Sequence, residues 1–229
     1  MFKKLFNTAQ DGAVRKPKPA DVKAFCDTAT QGDSVAKLQK FIDAYGKENI
    51  DSLCPETGYT ALMRAAQHGN IDNCRFLLWN GANANAQDKD GWSVLMVAIN
   101  QNRREAVELL LENKADVNAR NLTQGTALMA AAREGNEGLV TLLLEKGADP
   151  RLVNVAQQNA AAVARTHSLG DAAHERVARQ IEQAIAAANL AEAGARAAAL
   201  QEAAGEIALG LQGGLEKPLS ISRPLTLLR

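Results

Sequence analysis

The sequence predicts an all-α chain built as a solenoid, a row of stacked helix-turn-helix units. Three observations carry that expectation. Thr60-Ala61-Leu62-Met63, Ser93-Val94-Leu95-Met96 and Thr126-Ala127-Leu128-Met129 recur at a fixed interval of 33 residues. The same interval carries Leu77-Leu78 onto Leu110-Leu111 and Leu143-Leu144, and Gly69 onto Asn102 and Gly135. An internal period of this length marks a repeat architecture and has to be read before any local motif. Aromatic residues make up only 4% of the chain, thin for one globular core but suited to a solenoid filled by Leu, Ala, Val and Met.

Each unit follows one local grammar. A hydroxyl residue (Thr60, Ser93, Thr126) precedes a short apolar run, where its oxygen can accept from the free N–H groups of a helix start. The run Leu62-Met63-x-Ala65-Ala66 predicts a short first helix with a small-residue face, stopped near Gly69. A second helix follows, Asn73 to Trp79 in this unit, with its leucine pair turned inward. Gly81 or Gly147 ends it, as a residue that tolerates positive φ. An Ala-Asn/Asp segment and a Gly-bearing turn (Gly58, Gly91, Gly125) then lead into the next unit.

Helix, turn, helix and finger at this period resemble the ankyrin repeat. Gly58-Tyr-Thr-Ala-Leu-Met-x-Ala-Ala66, Leu77-Leu-x-x-Gly-Ala-Asn-x-Asn-Ala86 and Leu143-Leu-Glu-Lys-Gly-Ala-Asp-Pro150 carry most of the likeness. The chain departs from the family pattern in three places. The usual Thr-Pro-Leu-His reads Thr-Ala-Leu-Met, which removes the preset φ of a proline at the first helical position. Lys114 stands where Gly81 and Gly147 stand, and Gln124-Gly125 reverses the order in the third turn. These changes are expected to loosen local turns while leaving the fold intact.

Around the clear repeats the chain divides into an arm (1–20), the solenoid (21–187), an Ala-rich amphipathic helix (188–212) and an extended apolar tail (213–229). Asp21 to Asp51 reads as a divergent first repeat, with Phe25 and Ala29 on one helix and Leu38, Phe41 and Ile42 on the next. End repeats have one neighbour only, so drift is expected there. Asn159 to Ala187 reads as the closing cap, with Val177, Ile181 and Ile185 on its inner face, giving about five units. The arm carries Lys3, Lys4, Arg15, Lys16 and Lys18 with Phe2, Leu5 and Phe6, and lacks the long apolar core of a secretory signal. Leu190, Ala193, Ala197, Leu200, Ala204, Ile207 and Leu211 form a narrow seam at spacings of three and four. That seam can fold back on the solenoid or pair with a partner helix. After Gly213-Gly214, Leu219, Ile221, Leu225 and Leu227 stand in a segment with two prolines, suited to docking in extended form on another protein.

Composition narrows the function classes. Formal net charge is zero, and no basic stripe with interleaved aromatics is present, so neither nucleic acid nor an anionic membrane is an expected partner. Cys26, Cys54 and Cys74 are odd in number and not in zinc-like pairs, as in reduced thiols of a cytoplasmic protein. The histidines, His68, His167 and His174, are scattered, and no phosphate loop, metal-ligand cluster or nucleophile–base set appears. No enzyme activity and no cofactor or metal are therefore expected. Met63, Met96 and Met129 read as core between repeats.

The resemblance implies that a protein partner binds the concave side formed by finger tips and first helices. Carried over by position, the tips are Glu56, Thr57 and Tyr59; Lys89, Asp90 and Trp92; Leu122 and Thr123. The corresponding helix ends are Gln67 and His68; Asn100 and Gln101; Arg133 and Glu134. Tyr59 and Trp92 take equivalent places on consecutive fingers and are the natural interface anchors. Trp79 falls instead on the outer ridge of a second helix. A non-enzymatic interaction module, with a second contact from the tail, is the leading expectation. The alternatives are an inhibitor, immunity or chaperone-type protein for a toxin or effector, a membrane-peripheral scaffold, and a regulatory subunit of an enzyme.

Overall fold

The computed structural model describes residues 16–32, 34–168 and 171–212, and over 204–212 the path of the helix alone. The tail positions Leu219, Ile221, Leu225 and Leu227, and the apolar arm residues Phe2, Leu5 and Phe6, lie outside the described residues. By its internal packing the chain divides into two units, residues 1–185 and 186–229.

The first unit is a row of helix pairs: α1 (Pro19–Ala29) with α2 (Val35–Tyr45), α3 (Ala61–His68) with α4 (Ile71–Trp79), and α5 (Val94–Asn100) with α6 (Arg104–Glu112). Then come α7 (Ala127–Arg133) with α8 (Glu137–Glu145), and α9 (Ala160–His167) with the first turns of α10 (Ala172–Gln212). First helices stack on first helices, α1 to α3 to α5 to α7 to α9, and second helices form the outer row. Among the described residues the fingers make no strand, only an isolated bridge between Gln87 and Ser93.

The helix starts are set by the side chains the pattern marked. Thr60 Oγ1 accepts from Met63 N at 3.2 Å, Ser93 Oγ from Met96 N at 3.2 Å and Thr126 Oγ1 from Met129 N at 3.3 Å. Asn159 Oδ1 does the same for Ala162 N at 3.0 Å, so the fifth unit is capped by an amide in place of a hydroxyl. The fourth helix begins at Ile71, two residues before the expected start, because Asn70 and not Asn73 takes the cap position. Asn73 is instead buried, its amide donating to Ala29 O at 3.1 Å, Gln31 O at 2.8 Å and Ser34 Oγ at 2.9 Å. That side chain pins the divergent first repeat to the second.

The core is one continuous seam. Leu62, Leu95 and Leu128 are buried at one position of the first helices, and Leu77, Leu110 and Leu143 at one position of the second. Each such leucine contributes about 1.5–3 kcal/mol relative to an exposed one. Met63, Met96 and Met129 are buried between repeats. In the first repeat, Phe25 and Phe41 stack with ring centroids 4.0 Å apart, filling with aromatics what later repeats fill with aliphatics.

Turns where the family pattern is broken keep the backbone conformation regardless. Gly58, Gly91, Gln124 and Gln157 hold positive φ at one position of successive fingers. Gly81, Lys114 and Gly147 do so after successive second helices. In the third finger the left-handed residue is thus Gln124, and Gly125 beside it has no such φ. Lys114 and Gln124 bear a conformational cost that glycine avoids, of about 1–2 kcal/mol for an L-residue.

The closing helix packs Val177, Ala178 and Ile181 into the seam. Arg176 Nε donates to Glu137 Oε1 at 2.6 Å and Gln180 Nε2 to Thr141 Oγ1 at 2.8 Å, tying α10 to α8. His174 Nε2 lies 3.0 Å from the Arg133 carbonyl, and a Cβ on Gly135 would meet its ring at 2.8 Å. The glycine is needed there for this close approach as well as for its positive φ. The cap and the Ala-rich segment, read separately from the pattern, are one helix, since nothing between Ala186 and Leu190 breaks it. In the second unit the described side chains from Asn189 to Ala203 are all exposed, with Leu190 at 75% and Leu200 at 72%.

Candidate functional site

The fingers are held in register by a ladder of side chains from one repeat to the next. Asn85 Oδ1 accepts from Asp116 N at 2.6 Å, and Asn118 Oδ1 accepts from Asp149 N at 2.8 Å. Their amides donate back to the carbonyls of Lys114 and Gly147, at 3.3 and 3.1 Å. Asp51 opens the ladder, accepting from Asn83 N at 3.1 Å through both oxygens. Burial pushes the Asp51 carboxyl up, against the lowering effect of that backbone N–H.

Within each finger a second polar residue gathers the turn. Asp88 Oδ1 accepts from Asp90 N and Trp92 N at 2.9 and 2.8 Å. Asn121 Oδ1 accepts from Thr123 N and Gly125 N at 3.0 and 2.7 Å. Asn154 Oδ1 accepts from Ala156 N and Gln158 N at 2.9 and 3.0 Å. The backbone closes the same loops, from Asp88 N to Trp92 O, Asn121 N to Gly125 O and Asn154 N to Gln158 O, each at 3.0 Å. In the first finger the equivalent bond runs from Cys54 N to Tyr59 O at 2.8 Å. That loop is one residue longer, and Cys54 stands where the others have Asp or Asn.

This scaffold sets two adjoining hollows with Trp92 in the wall of both. One, of about 170 Å³, is bounded by Tyr59, Gln67, Asp88, Asp90, Trp92, Val97, Asn100 and Gln101. The other, of about 210 Å³, is bounded by Trp92 and Arg133 with Asn121, Thr123, Thr126, Asn154, Gln158 and His167 around a floor of Met96, Met129 and Val163. The Arg133 guanidinium lies over the Trp92 ring, 5.9 Å from its centroid. It also donates to Asn100 Oδ1, and through Nε to Glu134 Oε1 at 3.1 Å.

The structure therefore brings Tyr59, Gln67, Asp90, Trp92, Asn100, Gln101, Thr123 and Arg133 to the two hollows. It places others elsewhere. Glu56 is ion-paired with Lys23 of α1, and Thr57 and Lys89 are exposed on their finger tips. Leu122 is 71% exposed, its N–H donating to Asp90 O at 3.1 Å. Glu134 is exposed at the end of α7. His68 holds Nδ1 3.0 Å from the Arg64 carbonyl and borders a different hollow, with Asn102 and Arg103. Trp79, 88% exposed, is on α4 and borders neither hollow.

Sequence reading missed Asp88, Asn121, Asn154, Gln158 and His167. The first three carried a signal, a polar residue at constant distance before each finger glycine or glutamine, but it lay outside the blocks that defined the repeat. Gln158 and His167 belong to the closing cap, where the pattern was weakest.

Among the described residues no group of three or more His, Cys, Asp or Glu is placed to hold a metal ion, and no helix is long and apolar enough to cross a membrane.

The sequence matches the family model for ankyrin repeats (3 copies) over residues 25–121 and again over 62–154, together more than half of the chain. With its paired helices in two rows, its fingers laddered through Asn85 and Asn118 and its matched span, the chain belongs to the ankyrin-repeat family.

Proposed function

We propose that the chain is a non-enzymatic binding module that grips a protein partner through the concave face centred on Trp92. Ankyrin repeats are general protein–protein interaction modules. The observation that carries the finer reading is the pair of hollows sharing the Trp92 wall, with Arg133 over the ring. A half-buried aromatic flanked by polar groups is the composition of an interface hot spot. The floor beneath is apolar, formed by Met96, Met129 and Val163, all of them buried.

The tail, 213–229, is the second contact in this proposal. Two linked weak contacts raise avidity well beyond either alone. Inhibition or escort of a toxin or effector would be particular uses of the same grip, and a peripheral scaffold or an enzyme's regulatory subunit would use it on other targets.

The test is differential capture with the full chain. A protein retained by wild type and by Trp79→Ala, but lost with Trp92→Ala, Arg133→Ala or both, supports the concave face. Full retention by the Trp92/Arg133 double variant contradicts it.

A further inference from the structure

Cys54 and Cys26 meet at one carbonyl. Cys54 N–H donates to Tyr59 O at 2.8 Å, and Cys26 Sγ lies 3.8 Å from that same oxygen. The two thiols are near enough for each to act on the other's ionisation. Cys26 comes from α1 of the divergent first repeat, Cys54 from the first finger, so the pair bridges two repeats.

The finger geometry makes Cys54 unlike an ordinary core thiol. Its sulfur replaces the side-chain oxygen of Asp88, Asn121 and Asn154 as acceptor for the turn's own donors. The N–H groups of Glu56 and Thr57 and the Thr57 hydroxyl reach it. Burial pushes the Cys54 thiol up, but those donors with the Cys26 thiol bring it below the ordinary cysteine value. Cys26 is the opposite case. Burial, then the neighbouring Cys54 charge, pushes it up to about 12, although the Arg64 guanidinium opposes this. Arg64 Nε is buried without a hydrogen-bond partner among the described residues. Cys54 is itself buried, at 2% exposure, beside a loop whose Pro55, Glu56 and Thr57 are all exposed.

We propose that Cys54 and Cys26 are a peroxide-oxidisable pair, Cys54 the attacking thiolate and Cys26 the resolving thiol, closing a reversible disulfide between the first repeat and the first finger. In the first step the Cys54 sulfur attacks one oxygen of a hydroperoxide. The S–O bond forms, the O–O bond breaks, and the second oxygen leaves as water or alcohol with the proton that Cys54 had given up. In the second step the Cys26 sulfur attacks the sulfenic sulfur. The S–S bond forms, the S–O bond breaks, and hydroxide leaves with the Cys26 proton as water. Two electrons pass from the thiols to the peroxide. Cys74, buried on α4 with burial alone pushing its thiol up to about 12, has no such neighbour among the described residues and takes no part.

The test uses the reduced, folded full chain with one equivalent of hydrogen peroxide, followed by alkylation, intact mass and non-reducing peptide mapping. Loss of two of the three thiols is expected, with a Cys26–Cys54 cross-link that dithiothreitol reverses. Cys74→Ser should lose the same two. Cys26→Ser should give a sulfenic acid at Cys54 that dimedone traps, with circular dichroism checking that it folds. Should that variant fail to fold, the wild-type map decides alone. Three alkylatable thiols after peroxide, or a cross-link through Cys74 or between chains, overturns the proposal.

Discussion

The Arg133 guanidinium stands over the Trp92 indole, 5.9 Å from the ring centroid, joining neighbouring repeats. An exposed cation–π contact of this kind contributes about 0.5–1 kcal/mol. A double-mutant cycle of Arg133→Met and Trp92→Leu, read by urea unfolding, should return a coupling of that size. Additivity of the two changes would show that the contact has no energetic weight.

The turns built on non-glycine residues leave stability unused. Lys114 (φ 63°) and Gln124 (φ 60°) each occupy a position where other repeats place glycine. Lys114→Gly and Gln124→Gly should each raise stability by about 0.5–1 kcal/mol, the relief of left-handed strain less the greater freedom of glycine in the unfolded chain. Gly91→Ala should do the reverse, because its Cβ would come within 2.9 Å of Leu122 N. Urea midpoints of the three variants check both signs.

Caps should matter in every repeat. Thr126→Ala removes the acceptor for Met129 N, and Asn159→Ala the acceptor for Ala162 N. Each should cost about 1 kcal/mol of unfolding free energy, within a range of roughly 0.5–2. A Thr126→Ser variant should restore most of the loss, which separates the cap bond from packing of the methyl group.

Two carboxylates in the fingers should respond to acid with opposite signs. The hydrogen bond from the Arg151 side chain holds the Asp149 carboxyl below its ordinary value of 3.8. Its contribution is present above that value and is lost as pH falls through the depressed folded value. Burial raises Asp51, so its charge costs stability at neutral pH, and protonation on the way down removes that cost. Asp149→Asn should therefore lose less stability than wild type between pH 6 and pH ~3. Asp51→Asn should gain at pH 6 and converge on wild type in acid. Urea unfolding at the two pH values reads both.

Local signals made the fold legible. A hydroxyl before an apolar run and a leucine pair at fixed distance both act within one helix, so the 33-residue register exposed them. The capping bonds of Thr60, Ser93 and Thr126 are where that register placed them. What stayed hidden depends on contacts between repeats or on a shift of register. Cys54 failed to align with Asp88 because its loop is one residue longer, so strict counting set it against Gln87. Arg133 and Trp92 meet only after two repeats have stacked. The length of α10 was concealed by a change of composition near Ala187 that carries no helix breaker. Asn73 looked like a helix start and is a buried cross-repeat donor, which no local propensity could signal.

The chain's two tryptophans allow the most direct measurement, because Trp92 borders both hollows and Trp79 is on the outer row of second helices. In a Trp79→Phe chain, acrylamide quenching reports Trp92 alone; in Trp92→Phe it reports Trp79. Saturation with a bound protein partner should lower the quenching constant of Trp92 at least twofold and leave that of Trp79 unchanged. Shielding of Trp79 with Trp92 still fully accessible would contradict the concave-face account.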